Sequence, residues 1–118
     1  MVLIKIYTSY YANRALRNFA PDALRSISVG LPREMTCAQV KALAPDWNTV
    51  QAYKNGSIDW AGYTKQYMAK LDRLGIAKIM PMLEDGCVYL CYEGKGKDCH
   101  RHLLANWLRN YDIEVQEL

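Results

Sequence analysis

The chain reads as one α/β domain over residues 1–118, a mainly parallel sheet flanked by helices in a Rossmann-like three-layer arrangement. Three observations predict this. Short β-branched or apolar runs ("VLIKIY", "RSISV", "CVYLCY", "IEVQEL") are separated by stretches of helical periodicity, the pattern of parallel strands joined by crossover helices. The run "CVYLCY" is apolar almost without a break, as a strand buried on both faces is. Finally, 51% of the 118 residues are apolar, enough for one core, and no repeat, linker or low-complexity segment divides the chain.

The predicted order is β-α-β-α-α-β-α-β. The first strand covers 2–7 and ends in the polar turn "TSYYAN". Residues 12–19, "ANRALRNF", are helical in composition and stop before Pro21. A second strand covers 25–29, closed by Gly30 and Pro32. "TCAQVKAL" (36–43) has a helical pattern with Thr36 as N-cap and ends at Ala44-Pro45, and 47–56 forms a short helical turn. From Asp59 as N-cap, Trp60, Tyr63, Tyr67, Met68, Leu71 and Leu74 recur every three or four residues until Gly75 stops the helix. Residues 76–83, interrupted by Pro81, make a helix end or connector. The third strand covers 87–92. Asp98 then caps a helix from Cys99 to about Asn110, with Leu103, Leu104, Trp107 and Leu108 inward. "IEVQEL" alternates, as a final edge strand does.

Nine tyrosines and three tryptophans against one phenylalanine is an unusual balance. Such rings carry polar tips that need partners, so several are expected to line a groove. The net charge of +3 is mild and is concentrated in residues 1–33, where Lys5, Arg14, Arg17, Arg25 and Arg33 face only Asp22. That falls short of the basic stripe of a dedicated duplex-DNA binder but suits a phosphate-bearing ligand. The start of the chain lacks the pattern of a signal peptide, and no stretch reaches the roughly 18–20 apolar residues of a membrane span. Cys37, Cys87, Cys91 and Cys99 are therefore expected to be reduced intracellular thiols in a cytoplasmic protein without a disulfide framework.

The stretch "CYEGKGKDCHRHLLANWL" (91–108) holds two of the four cysteines and both histidines. Parallel sheets bind ligands beyond the carboxyl ends of their strands. Three segments are expected at that rim: "YTSYYAN", "GLPRE" and "YEGKGKDCHR", bringing Tyr7, Ser9, Tyr10, Arg33, Tyr92, Glu93, Lys95 and Lys97, with His102 next in the chain. Gly94 and Gly96 allow a tight turn, and the helix starting near Cys99 adds free N–H groups and a positive dipole end, which together suit an anion. On this reading Cys99 is the nucleophile, its thiolate favoured by the helix start, His100 the base and Arg101 the anion clamp. Two other readings stay open. Cys91, Cys99 and His102 (or His100) are zinc-type ligands, although their spacing is not that of a tight zinc knuckle. Alternatively, the stretch is an ordinary strand–turn–helix with His100 packed inward and Arg101 paired to Glu93 or Asp98. The sequence favours the first reading, with no cofactor. Cys37 reads as core.

"CYEGKGKDCHRH" also resembles the signature of domain-of-unknown-function family 488 (DUF488), a bacterial and phage family in which Cys-Tyr-Glu, a short loop and Cys-His-Arg-His lead into a Leu/Ala/Trp helix. "IYTSYYAN", "SISVGLPRE", "LAPDW" and "GSIDWAGYTKQY" match its pattern in the same order. The matching positions are Tyr7, Ser9, Tyr10, Cys91, Tyr92, Glu93, Cys99, His100, Arg101 and His102. The "GKGK" loop departs from it, being more basic than the Pro-Gly turn of many members. The resemblance implies an intracellular α/β domain and an association with nucleotides or nucleic acids. The resulting expectation is a small protein that binds or processes a phosphate-bearing nucleotide or nucleic-acid ligand at 91–102. The alternatives are a non-catalytic phage or bacterial accessory binding protein and a Cys/His metal-binding module.

Overall fold

Strand β4, Val88–Cys91, is the centre of the molecule: all four of its residues are buried. It stands between β1 (Lys5–Tyr10) and β2 (Leu24–Ser26) in a sheet whose order is β3-β2-β4-β1-β5. Every pairing is parallel, including those of β3 (Ala38–Gln39) with β2 and of β5 (Glu114–Glu117) with β1. The structure is a computed structural model and describes residues 4–94 and 96–118. Val2 and Leu3 of the predicted first strand, and Lys95 of the predicted anion loop, lie outside the described residues.

The parallel α/β class predicted from the sequence is the class observed, and β5 is indeed an edge strand. Two segments differ. Residues 36–43 form no α-helix: Ala38 and Gln39 pair with Arg25 and Ser26, Val40 N–H donates to Ser26 O at 2.8 Å, and Lys41–Leu43 coil into a single 3-10 turn. Eight residues closed by a proline make a marginal helix, and the open edge of β2 offers their backbone better partners. Residues 12–19 likewise tighten into a 3-10 turn, Arg14–Asn18, started by Asn13, whose side-chain oxygen accepts from Ala15 N–H. The second strand is also shorter than predicted, because the chain leaves the sheet after Ile27 N–H bonds Leu90 O.

The larger core covers one face of the sheet. It is built by α2 (Trp60–Leu74), α3 (Ile76–Ile79) and α4 (His100–Arg109), which bury Tyr67, Leu71, Ile79, Leu104 and Leu108 against Ile6, Ile27 and Tyr89. Helix α2 starts where Asp59 accepts from Gly62 N–H and stops at Gly75, whose φ of 77° suits glycine. Helix α1 (Trp47–Lys54) packs on α2. The opposite face carries a smaller cluster, Leu16, Val88 and Leu90, covered by Tyr7, Tyr11 and Phe19. Two tyrosines serve the core itself. Tyr67 O–H donates to Leu43 O at 2.6 Å, and Tyr89 O–H donates to Met82 O at 3.0 Å. Among the described residues no helix is long and apolar enough to cross a membrane.

Strand order also places the site. From β1 the chain moves to β2 on one side of β4; from β4 it moves to β5 on the far side of β1. The connections part where Tyr10 and Cys91 sit opposite each other at the carboxyl ends of their strands. Ligands of open parallel sheets bind at such a switch point.

Candidate functional site

Cys91 is the last residue of the central strand, and Cys99 occupies the N-cap position of α4. Asp98, expected as the cap, is exposed, and no side chain caps this helix start. Cys99 instead adopts extended backbone (φ −154°, ψ 145°) that turns its side chain inward. The sulfurs of Cys91 and Cys99 meet at bonding distance, with their Cα atoms 7.6 Å apart. This corrects the expectation of four independent thiols: two of them are paired, which spacing alone does not reveal. The other two behave differently. Cys87 is buried, whereas Cys37, read as core, is only partly covered. Burial pushes both of their thiols up from the ordinary value.

Each paired sulfur has a polar partner of its own. Arg101 NH1 donates to Cys91 Sγ at 3.0 Å and to Glu93 O at 2.5 Å, and NH2 reaches Gly94 O at 3.3 Å. Nε of the same guanidinium meets Glu117 Oε2 at 3.0 Å, and that carboxylate also accepts from Thr8 Oγ1 at 2.6 Å. Arg101 is wholly buried, with the Tyr10 ring 5.6 Å from its guanidinium carbon. Its donors are taken up by the protein, so it holds the 92–94 turn to β5 and to Cys91; it is not the open anion clamp the sequence suggested. A guanidinium hydrogen-bonded to sulfur stabilises charge on that sulfur.

His100 Nε2 lies 2.5 Å from Ile27 O, and Nδ1 lies 3.7 Å from Cys99 Sγ. A carbonyl oxygen only accepts, so Nε2 carries the proton and Nδ1 presents its lone pair to the sulfur. Burial lowers the His100 pKa to about 4, against the pull of Ile27 O; the charges of Arg101, Lys70 and His102 lower it further. The ring is therefore neutral near pH 7, with its unprotonated Nδ1 facing Cys99 Sγ. Cys91, Cys99 and His100 form a three-donor cluster within 4.8 Å. Here the sulfurs touch each other and leave no space for a cation between them, and the histidine is His100, not the His102 considered from spacing.

This cluster is the floor of a cavity of about 500 Å³. Its walls are Trp47, Tyr53 and Lys54 of α1, Trp60 and Tyr63 of α2, Ser28–Gly30 after β2, and Tyr92, Glu93 and Asp98 around α4's start. Trp60 and Tyr63 stack at 4.7 Å, and Tyr53 meets Tyr63 edge-on at 5.3 Å. Burial raises the Tyr63 pKa, with Glu93 and Tyr53 adding to it. Cys91 and Cys99 both border the cavity and are both buried.

Of the residues predicted at the rim, Tyr92, Glu93, Cys99 and His100 line the cavity. The others do not. Tyr7 faces the opposite side of the sheet against Phe19 (5.2 Å), and Ser9 accepts from Asn13 there at 2.9 Å. Tyr10 lies beneath Arg101, whereas Arg33 and Lys97 are exposed and His102 is half-buried outside the cavity. Sequence reasoning missed Trp47, Tyr53, Lys54 and Trp60 as walls. The excess of tyrosine and tryptophan was the available signal for the walls.

The fold and site define a parallel α/β protein with a cysteine-pair and imidazole floor beneath an aromatic cavity at the switch point of the sheet. The chain belongs to the DUF488 family: the family model described as "DUF488-N3a: Active DUF488-N3 subclade" matches residues 5–112. Comparison with curated proteins and with solved structures finds no match.

Proposed function

We propose that the protein is a thiol enzyme in which Cys91 is the nucleophile and a ligand bearing a heteroaromatic ring, a nucleotide or the end of a nucleic acid, stacks in the cavity above it. The observation that carries this is the Arg101 guanidinium 3.0 Å from Cys91 Sγ, a buried positive charge held against a sulfur at the carboxyl end of the central strand. The nucleophilic role expected of Cys99 thus passes to Cys91, whose sulfur has the cation. The aromatic walls support a planar ligand, since base-on-ring stacking contributes about 1–3 kcal/mol per base. Support for a phosphate group comes from Lys54 in the wall and from the start of α4, a ten-residue helix without a side-chain cap. The description of the matched subclade as active agrees with a working thiol.

The test is alkylation of the reduced protein at about pH 6, where only a stabilised thiolate reacts quickly. Cys91 should be modified ahead of Cys37 and Cys87, and nucleoside monophosphates should slow its modification while quenching the fluorescence of Trp47 and Trp60. Faster labelling of Cys37 or Cys87 would remove Cys91 as nucleophile. Quenching by nucleotides with unchanged activity in a Cys91→Ser variant would favour the non-catalytic binding protein.

A further inference from the structure

Arg101 and the aromatic walls account for a nucleophile and a ligand cavity, but not for a second sulfur set directly on the first with its own base. From this arrangement we infer that Cys99 is a resolving thiol: it converts an oxidised Cys91 into a Cys91–Cys99 disulfide and so shields the nucleophile from irreversible oxidation. The inference rests on Cys91 being the reactive thiol.

Three features of the site converge on it. The two sulfurs meet although seven residues separate them in the sequence. Cys99 faces the unprotonated nitrogen of His100, whose orientation is set by Ile27 O from a different strand connection. Both cysteines also border the cavity, so the bond between them forms at the point where an oxidant entering it would meet Cys91. Cysteines merely packed together need neither the base nor that position.

The chemistry balances with a hydroperoxide as oxidant. The Cys91 thiolate attacks the O–O bond, giving the sulfenic acid and releasing the alkoxide or hydroxide of the oxidant. Cys99 passes its proton to His100 Nδ1, and its thiolate attacks the Cys91 sulfur. The S–S bond forms, the C–S–O linkage of the sulfenic acid breaks at oxygen, and the departing hydroxide takes the proton from His100 as water. Two thiols have then supplied the two electrons accepted by the peroxide. Two equivalents of an external thiol then reduce the disulfide by exchange, leaving as their own disulfide and returning both cysteines to thiols.

The experiment treats the reduced full chain with one equivalent of hydrogen peroxide, blocks remaining thiols and maps peptides under non-reducing conditions. The expected product is the 91–99 linked peptide with Cys91 sulfinate scarce; in Cys99→Ser, sulfinate at Cys91 should rise by about tenfold or more. Replacing His100 by Gln should slow linkage at neutral pH. Cys91 sulfinate in the unmodified sequence, without the linked peptide, would overturn the inference, and that measurement needs no variant. Dimedone separates the two levels of failure. A Cys91 adduct in Cys99→Ser, with no linkage in the parent chain, leaves the nucleophile standing and rejects the resolving role. Absence of any Cys91 adduct rejects both.

Discussion

Replacing Arg101 by alanine tests the architecture of the site most directly. The side chain is 0% exposed and its carboxylate partner Glu117 is 27% exposed. Its removal leaves Glu117 without a cation, takes a donor from Glu93 O, Gly94 O and Cys91 Sγ, and opens a void beside Tyr10. Deleting one partner of a buried ion pair costs about 3–5 kcal/mol. The 92–94 carbonyls sit at the surface side of the turn and can regain water, which keeps the total near about 4 kcal/mol. Against a total stability of about 5–15 kcal/mol that is a large fraction. At about 4 °C per kcal/mol for a domain of this size, the melting temperature should fall by about 15 °C. Arg101→Lys should recover only part of this, because an ammonium keeps the charge but cannot span the acceptors on either side of the fork. Thermal and urea unfolding of the reduced proteins, followed by circular dichroism, measure both changes. The sequence reading of Arg101 as a ligand clamp predicts almost no loss of stability. A cost below about 1 kcal/mol in the alanine variant would show that the guanidinium does not hold the turn to the strand as described.

Two further outcomes follow from the same site. His100 has a folded-state pKa of about 4 against an unfolded value of 6.5, so between these values the unfolded chain binds the proton that the folded chain refuses. Stability should be complete above about pH 6.5 and fall by about 3 kcal/mol as the pH drops to 4, a slope that His100→Gln should reduce; urea midpoints measured across this range would refute the assignment if both proteins show the same slope. In the unreduced protein Cys37, the partly exposed thiol, should take up iodoacetamide before Cys87, and Cys91 and Cys99 should remain unlabelled until a reductant is added. Early labelling of Cys99, which the helix-start argument predicts, would show that the sulfurs are not paired.

Much of the fold is legible locally. Helix α2 carries its start, stripe and stop in Asp59, Tyr63-Tyr67-Leu71 and Gly75, and β4 advertises its central place by an unbroken apolar run. The two segments that depart are those whose local preference is weak. Residues 14–18 and 38–39 take up the geometry their neighbours offer, a 3-10 turn across the smaller core and a pairing on the edge of β2.

The site divides in the same way. The sequence by itself determined the family, the parallel α/β class and the stretch in which the chemistry sits, because strand–turn–helix patterning and the clustering of Cys, His and Arg are properties of adjacent residues. Only the tertiary structure decided what each side chain does. Helix phase placed Arg101 inward as well as His100, and strand order put β5 beside β1, so that Glu117 could engage Arg101. Ile27, 73 residues before His100, settled which nitrogen of that ring is free. The aromatic walls come from α1 and α2, 28 to 52 residues earlier than the cysteines they cover. A side chain's charge state and reactivity depend on which groups surround it within a few ångströms, and in a crossover fold those groups come from distant parts of the chain.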